Sequence, residues 1–75
     1  MNRLRRARIK STVQQIELAR DRLELIMDEE VDSMNEYPEN LHGTDIYQTM
    51  ESCVDLLDSS IEKLDDIIDD MSNIP

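Results

Sequence analysis

The feature that most constrains the fold is an uninterrupted apolar repeat in the C-terminal half of the chain. Eight apolar side chains recur there in alternating steps of three and four residues: Tyr47, Met50, Val54, Leu57, Ile61, Leu64, Ile68 and Met71. This is the heptad spacing that lines one side of a helix in a coiled coil or a helical bundle. Ile46, Cys53 and Ile67 flank the repeat on one side and widen it. We therefore predict one helix over about residues 45–72.

The N-terminal half carries a second apolar stripe at helical spacing. Its members are Ile9, Val13, Ile16, Ala19, Leu23, Ile26, Met27, Val31 and Met34. The stripe predicts a first helix over about residues 3–36. Tyr37 precedes Pro38, and the residue before a proline is driven out of the α region, so the helix is expected to end there.

The segment between the two helices contains the chain reversal. Gly43, the only glycine of the chain, lies within it. Thr44 or Asp45 is expected to cap the second helix, because either side chain can accept a hydrogen bond from a free backbone N–H. The turn then spans residues 37–44. The predicted fold class is all-α, an antiparallel two-helix hairpin that forms a single domain over residues 1–75.

The first helix also has apolar residues roughly opposite its main stripe, which are Leu4, Ala7, Leu18 and Leu25. A helix that is apolar on two sides needs two neighbours, and only one of them is the second helix of its own chain. A chain of this size also buries little apolar surface relative to the entropy lost on ordering it. We expect a homodimer that forms a four-helix bundle, with Leu4, Leu18 and Leu25 at the interface. The alternative is that these are isolated exposed leucines.

Basic side chains are concentrated at the start of the chain. Five of the eight lie in the first ten residues and form a basic arm: Arg3, Arg5, Arg6, Arg8 and Lys10. Such a cluster can neutralise phosphates, which makes a nucleic-acid-binding arm one interpretation. We do not expect a nucleic-acid partner, because no aromatic residue is interleaved for stacking and the net charge is −10. In the preferred interpretation Arg8 and Lys10 reach Asp69 and Asp70 across the hairpin.

Acidic side chains line the outer side of the second helix at spacings of three and four residues. They form an acidic row of Glu51, Asp55, Asp58, Glu62, Asp65 and Asp69. Neighbouring like charges on a helix repel each other, so the row does not favour the isolated helix. We interpret it as a candidate protein-binding surface for a basic groove. Mimicry of a nucleic-acid backbone and a merely solvated face are the alternatives.

No arrangement of residues predicts catalysis, metal binding or a cofactor. The single histidine, His42, and the single cysteine, Cys53, are not spaced as a zinc site. The acidic residues lack the loop pattern of a calcium site. Cys53 falls inside the apolar stripe and is predicted to be a small core hydrophobe, and His42 an ordinary turn residue. We expect no catalytic, cofactor-binding or metal-binding residue, and no enzymatic activity.

Two stretches of the chain carry a family resemblance. They are the Tyr-Pro-Glu-Asn-Leu turn at residues 37–41 and the acidic amphipathic repeat at residues 54–67. With them, residues 29–71 resemble small acidic helical-hairpin proteins of Gram-positive bacteriophages and mobile elements. The resemblance implies an accessory protein that binds a host protein, often a defence protein, and inhibits or adapts it.

The preferred function is accordingly a non-enzymatic protein–protein interaction module. Its rivals are a nucleic-acid-binding protein that uses the basic arm, an acidic DNA mimic and a purely structural assembly element. The chain has one cysteine, no recognisable leader and no apolar run near the roughly 20 residues that span a bilayer. We therefore expect a soluble protein that is not associated with a membrane and lies in the cytoplasm of the bacterial host.

Overall fold

The chain folds as two long helices that lie antiparallel, side by side. A computed structural model describes all 75 residues. Helix α1 spans Arg3–Glu36, helix α2 spans Asp45–Ser72, and a short 3-10 helix at Glu39–Leu41 lies between them. The molecule is a thin rod with extents of 59 × 15 × 13 Å. The predicted fold class, an all-α helical hairpin, is confirmed.

Both helices begin at a side-chain cap. Asn2 Oδ1 accepts a hydrogen bond of 2.8 Å from the backbone N–H of Arg5. Of the two caps considered for α2, Thr44 holds the position, and its hydroxyl oxygen lies 3.4 Å from the backbone N of Tyr47. Such caps satisfy donors that have no partner within the helix. Helix α1 ends because Tyr37, which precedes the proline, adopts extended backbone angles of −71° and 134°.

The turn is closed by three rings. The rings of His42 and Tyr47 stack with centroids 4.2 Å apart, and the Tyr37 ring lies 5.8 Å from that of Tyr47. The His42 Nε2 atom lies 3.0 Å from the Tyr37 carbonyl oxygen and donates to it, since a carbonyl can only accept. Gly43 does not adopt a positive φ. Ring packing, rather than the conformational freedom of glycine, therefore holds the reversal.

The apolar seam between the helices is narrow. Ile61 is the only buried residue of the chain, with 5% of its surface exposed. The other members of the predicted α2 repeat are half-buried from Tyr47 to Ile68, and Met71 at its end is exposed. On α1 the half-buried apolar residues are Ile9, Val13, Ile16, Leu23, Met27, Val31 and Met34.

Several residues predicted to be covered are not. The prediction that Cys53 lies in the core is wrong, because its side chain is exposed. Its neighbours on the same flank, Ile46 and Ile67, are also exposed, as are Ala19 and Ile26 of the predicted α1 stripe. The physical reason is that one neighbouring helix covers only a single narrow stripe of its partner. Neither helix combines the length and the apolar character needed to cross a membrane.

Truncation of the one buried side chain tests the importance of the seam. We expect Ile61→Ala to lower the free energy of unfolding by about 2–5 kcal/mol, through lost apolar burial and a residual cavity. The measurement is urea unfolding followed by circular dichroism. Leu4→Ala is the matched control, because Leu4 is 69% exposed. Equal losses for the two variants would contradict a stability centred on Ile61.

Candidate functional site

The acidic row of α2 is exposed along its whole length. All six of its side chains, from Glu51 to Asp69, are accessible to solvent. Five of the six form no ion pair, because every salt bridge of the chain involves Arg20, and Arg20 reaches only Asp65 within the row. The row therefore presents a largely uncompensated negative potential on one side of the hairpin.

Asp65 is the exception, because it joins the two helices. The Arg20 Nε atom donates to Asp65 Oδ1 at 2.8 Å, and Nη2 lies 3.3 Å from Oδ2, which makes the contact bidentate. The same guanidinium also donates to Glu24, one turn further along α1. Asp65 was predicted as part of the binding row. The structure instead places it at an interhelical ion pair that contributes to the fold.

The Arg20 side chain lies at the edge of the seam, with 25% of its surface exposed. The hydrogen bond with Asp65 is the largest cause of the raised pKa of Arg20. Partial burial lowers this pKa, and the negative charges of Asp65 and Glu24 raise it, so that the net shift is upward. The guanidinium therefore stays charged throughout the physiological range. The pair adds a directional contact between the two helices to the non-directional apolar contacts of the seam.

Sequence reasoning missed Arg20. The half-buried positions of α1 run 9, 13, 16, 20, 23 and 27 in regular steps of four and three. The predicted stripe left this spacing to include Ala19, which is apolar but exposed. Strict application of the heptad spacing would have placed Arg20 in the seam, and the acidic residues on the facing helix would have suggested its partner.

The basic arm is exposed and unpaired. None of its five side chains, Arg3, Arg5, Arg6, Arg8 and Lys10, takes part in a salt bridge. The expected pairing of Arg8 and Lys10 with Asp69 and Asp70 is therefore wrong. Exposed ion pairs gain little over full hydration and restrict two flexible side chains, so these charges stay in water.

The three leucines predicted for an oligomer interface are also exposed. Leu4, Leu18 and Leu25 retain 59–69% of their surface. The spacing of seven residues between Leu18 and Leu25 places them on one line of α1, on the side turned away from the seam. We call this set the leucine line. Its members are available for a neighbour, and their role at an interface stays a prediction.

A second exposed surface lies beside the seam and contains no charged residue. Its members occupy one heptad position, directly before every second seam position: Thr12, Ala19, Ile26 and Ser33 on α1, and Ile46, Cys53, Ser60 and Ile67 on α2. In an antiparallel helix pair these two sets flank the seam on the same side. We call this surface the uncharged face. The Arg20–Asp65 pair marks the opposite side of the hairpin, where the acidic row lies.

One end of the uncharged face opens into a groove of about 350 Å³. It is lined by the apolar residues Met1, Ile9, Val13, Ile16 and Met71 and by Arg5, Arg8 and Thr12. No group of three or more His, Cys, Asp or Glu side chains is arranged to hold a metal ion. The features that remain for recognition are therefore surfaces: the acidic row, the basic arm, the leucine line and the uncharged face.

Comparison with known proteins returned no relative, since no family model matches the chain and no curated protein or solved structure is significantly similar to it.

A charge exchange tests the interhelical pair. We expect Arg20→Asp to lower the melting temperature, because the new carboxylate would lie beside those of Glu24 and Asp65 at the edge of the seam. Addition of Asp65→Arg to the same chain should restore part of the loss by recreating the pair in reverse. Thermal unfolding by circular dichroism is the measurement.

Arg22→Asp provides the matched control for this exchange. It makes the same change of charge on the same helix, at an exposed residue that forms no ion pair. It should shift the melting temperature less than Arg20→Asp does. If the double variant is no more stable than the sum of its two single variants predicts, Arg20 and Asp65 are not coupled.

Proposed function

We propose that the chain is a non-enzymatic protein-binding module whose acidic row docks onto a basic groove of a partner protein. The observation that carries this proposal is the uncompensated row itself. Five exposed carboxylates of α2, at Glu51, Asp55, Asp58, Glu62 and Asp69, have no ion-pair partner in the chain. A row of repelling charges lowers the intrinsic stability of its helix, and a complementary partner would relieve that repulsion.

The rigidity of α2 supports recognition through this row. The carboxylates are carried on one continuous helix of 28 residues that is anchored to α1 along its seam. Spacing within the row is therefore fixed before a partner arrives, so little backbone entropy is lost on binding. The likeness to phage-encoded hairpins supports a host protein, such as a defence protein, as the class of partner.

Neutralisation of the row should slow association. We expect Asp55→Asn, Asp58→Asn and Glu62→Gln together to reduce the association rate, because charge complementarity acts mainly on encounter. Asp65 is left unchanged because it pairs with Arg20. The first experiment is affinity capture from a bacterial lysate with quantitative mass spectrometry, which identifies the protein that the unmodified chain retains and the triple variant does not. Surface plasmon resonance then measures the association rate of that protein with each of the two chains.

A matched triple variant controls for net charge. Asp28→Asn, Glu29→Gln and Asp32→Asn remove the same number of exposed charges from α1 and should leave capture unchanged. Association with the unmodified row should also weaken as salt rises, since the Debye length is about 8 Å at physiological ionic strength. Capture that is insensitive to salt and equal for both triple variants would contradict the role of the row.

The basic arm supplies the rival function, because its five cations are exposed and unpaired. A gel-shift assay at low salt with duplex DNA and single-stranded RNA separates the two. We expect no shift at micromolar protein. Robust binding that disappears when Arg3, Arg5, Arg6 and Arg8 are replaced with alanine would favour the nucleic-acid-binding function over the proposed one.

A further inference from the structure

We infer that the uncharged face is the interface of a head-to-tail homodimer, in which each helix lies antiparallel to the same helix of the other chain. The occupant of the face is thus a second copy of this chain. This inference is independent of the proposed function, because the acidic row lies on the opposite side of the hairpin and stays accessible in the dimer.

The composition of the face sets it apart from the rest of the surface. All eight of its residues are exposed and none is charged, in a chain of which 35% of the residues are charged. Ile26, Ile46 and Ile67 are among its members, each with 42–64% of its surface exposed. Depletion of charge together with exposed aliphatic side chains is what distinguishes the core of an interface from ordinary surface.

Large and small residues alternate across the face. The alignment in which Arg20 pairs with Asp65 places Ala19 beside Ile67 and Ile26 beside Ser60. A two-fold axis that runs across the helices at the Ile26–Ser60 level places Ile67 opposite Cys53 and Ala19 opposite Ser33 of the other chain. Ile26 then meets Ile26 of the other chain at the axis. Such a surface is complementary to itself, as an interface between identical subunits must be.

Charge determines the direction of the second chain. Residues 23–62, the half that contains the turn, have twelve acidic side chains and no lysine or arginine. The open half, residues 1–22 and 63–75, has eight basic and six acidic side chains. A parallel dimer would place the two acidic halves against each other. A head-to-tail dimer instead places each acidic half beside the basic arm of the other chain, which lowers the electrostatic free energy.

The dimensions of the hairpin set an upper limit to the area that the dimer can bury. The hairpin is 59 Å long and 15 Å wide, so a whole side, with the uncharged face along its middle, covers about 900 Å² per chain. That limit lies close to the roughly 800 Å² per partner of a standard interface. Burial of the face would also cover aliphatic side chains that the single hairpin leaves in water, in a molecule where only Ile61 is fully buried.

Disulfide trapping tests the arrangement directly. In a Cys53→Ser background, Ala19→Cys and Ser33→Cys introduce two thiols that lie about 21 Å apart on α1 of one chain, too far to join, since a disulfide needs Cα atoms within about 7 Å. Across the head-to-tail interface the same two positions face each other. We expect mild oxidation to convert most of this double variant to a covalent dimer on non-reducing gels. Ala19→Cys alone, in the same background, should stay monomeric on the gel.

Sedimentation equilibrium tests the face itself. The unmodified chain should sediment as a dimer at micromolar concentration. Ile26→Ser with Ile67→Ser should raise the dissociation constant at least about tenfold, because it removes two aliphatic side chains from the interface. Helicity should be retained, since both residues lie outside the seam. Leu18→Ser with Leu25→Ser, on the leucine line, is the matched control and should leave the dissociation constant unchanged.

Three results would overturn the inference. The first is a monomer at 100-micromolar concentration. The second is a dimer in which the Ala19→Cys, Ser33→Cys variant crosslinks no faster than the Ala19→Cys single variant, because positions 19 and 33 then do not face each other. The third is a dimer that the leucine-line variant disrupts and the Ile26 and Ile67 variant does not, which places the interface on the other side of α1.

Discussion

A single layer of two helices can cover only one narrow stripe on each helix, and the properties of this hairpin follow from that limit. One residue, Ile61, is fully buried, while aliphatic side chains on both flanks and on the outer side of α1 stay in water. Apolar burial is the main favourable term in folding. The stability of the hairpin therefore depends on a few seam positions. Its exposed flanks are the surfaces on which a second protein would bury the most apolar area.

Arg20 is the only charged residue in the seam that forms an ion pair between the two helices. Apolar contacts are not directional, so two regular apolar stripes can slide past each other by a heptad with little change in buried area. A shift by one heptad would bring Asp58 to the position of Asp65, so it is the short turn at residues 37–44 that sets the alignment. The bidentate contact at 2.8 and 3.3 Å between Arg20 and Asp65 stabilises that alignment and lies on the acidic flank of the hairpin.

The fold was predictable because its signals are local. The heptad spacing of α2, the Tyr37-Pro38 break and the hydroxyl of Thr44 each act over a few residues. The fates of Cys53 and Ala19 were not predictable in the same way, because they depend on how wide a stripe one neighbouring helix can cover. The acidic row was visible in the sequence, but the separate role of Asp65 required the position of Arg20 on the facing helix.

The two ends of the rod differ in how easily their contacts form. At the turn, His42 contacts a carbonyl only five residues away, whereas the Arg20–Asp65 contact joins residues that are 45 positions apart. Closing a loop loses more entropy as the loop lengthens, but each contact made near the turn shortens the loop that the next contact must close. The contacts between α1 and α2 therefore form first next to the turn and then towards the chain ends, and they open in the reverse order. The basic arm lies at the last segment to close, so amide hydrogens at the start of α1 should exchange faster than those near the rings of the turn.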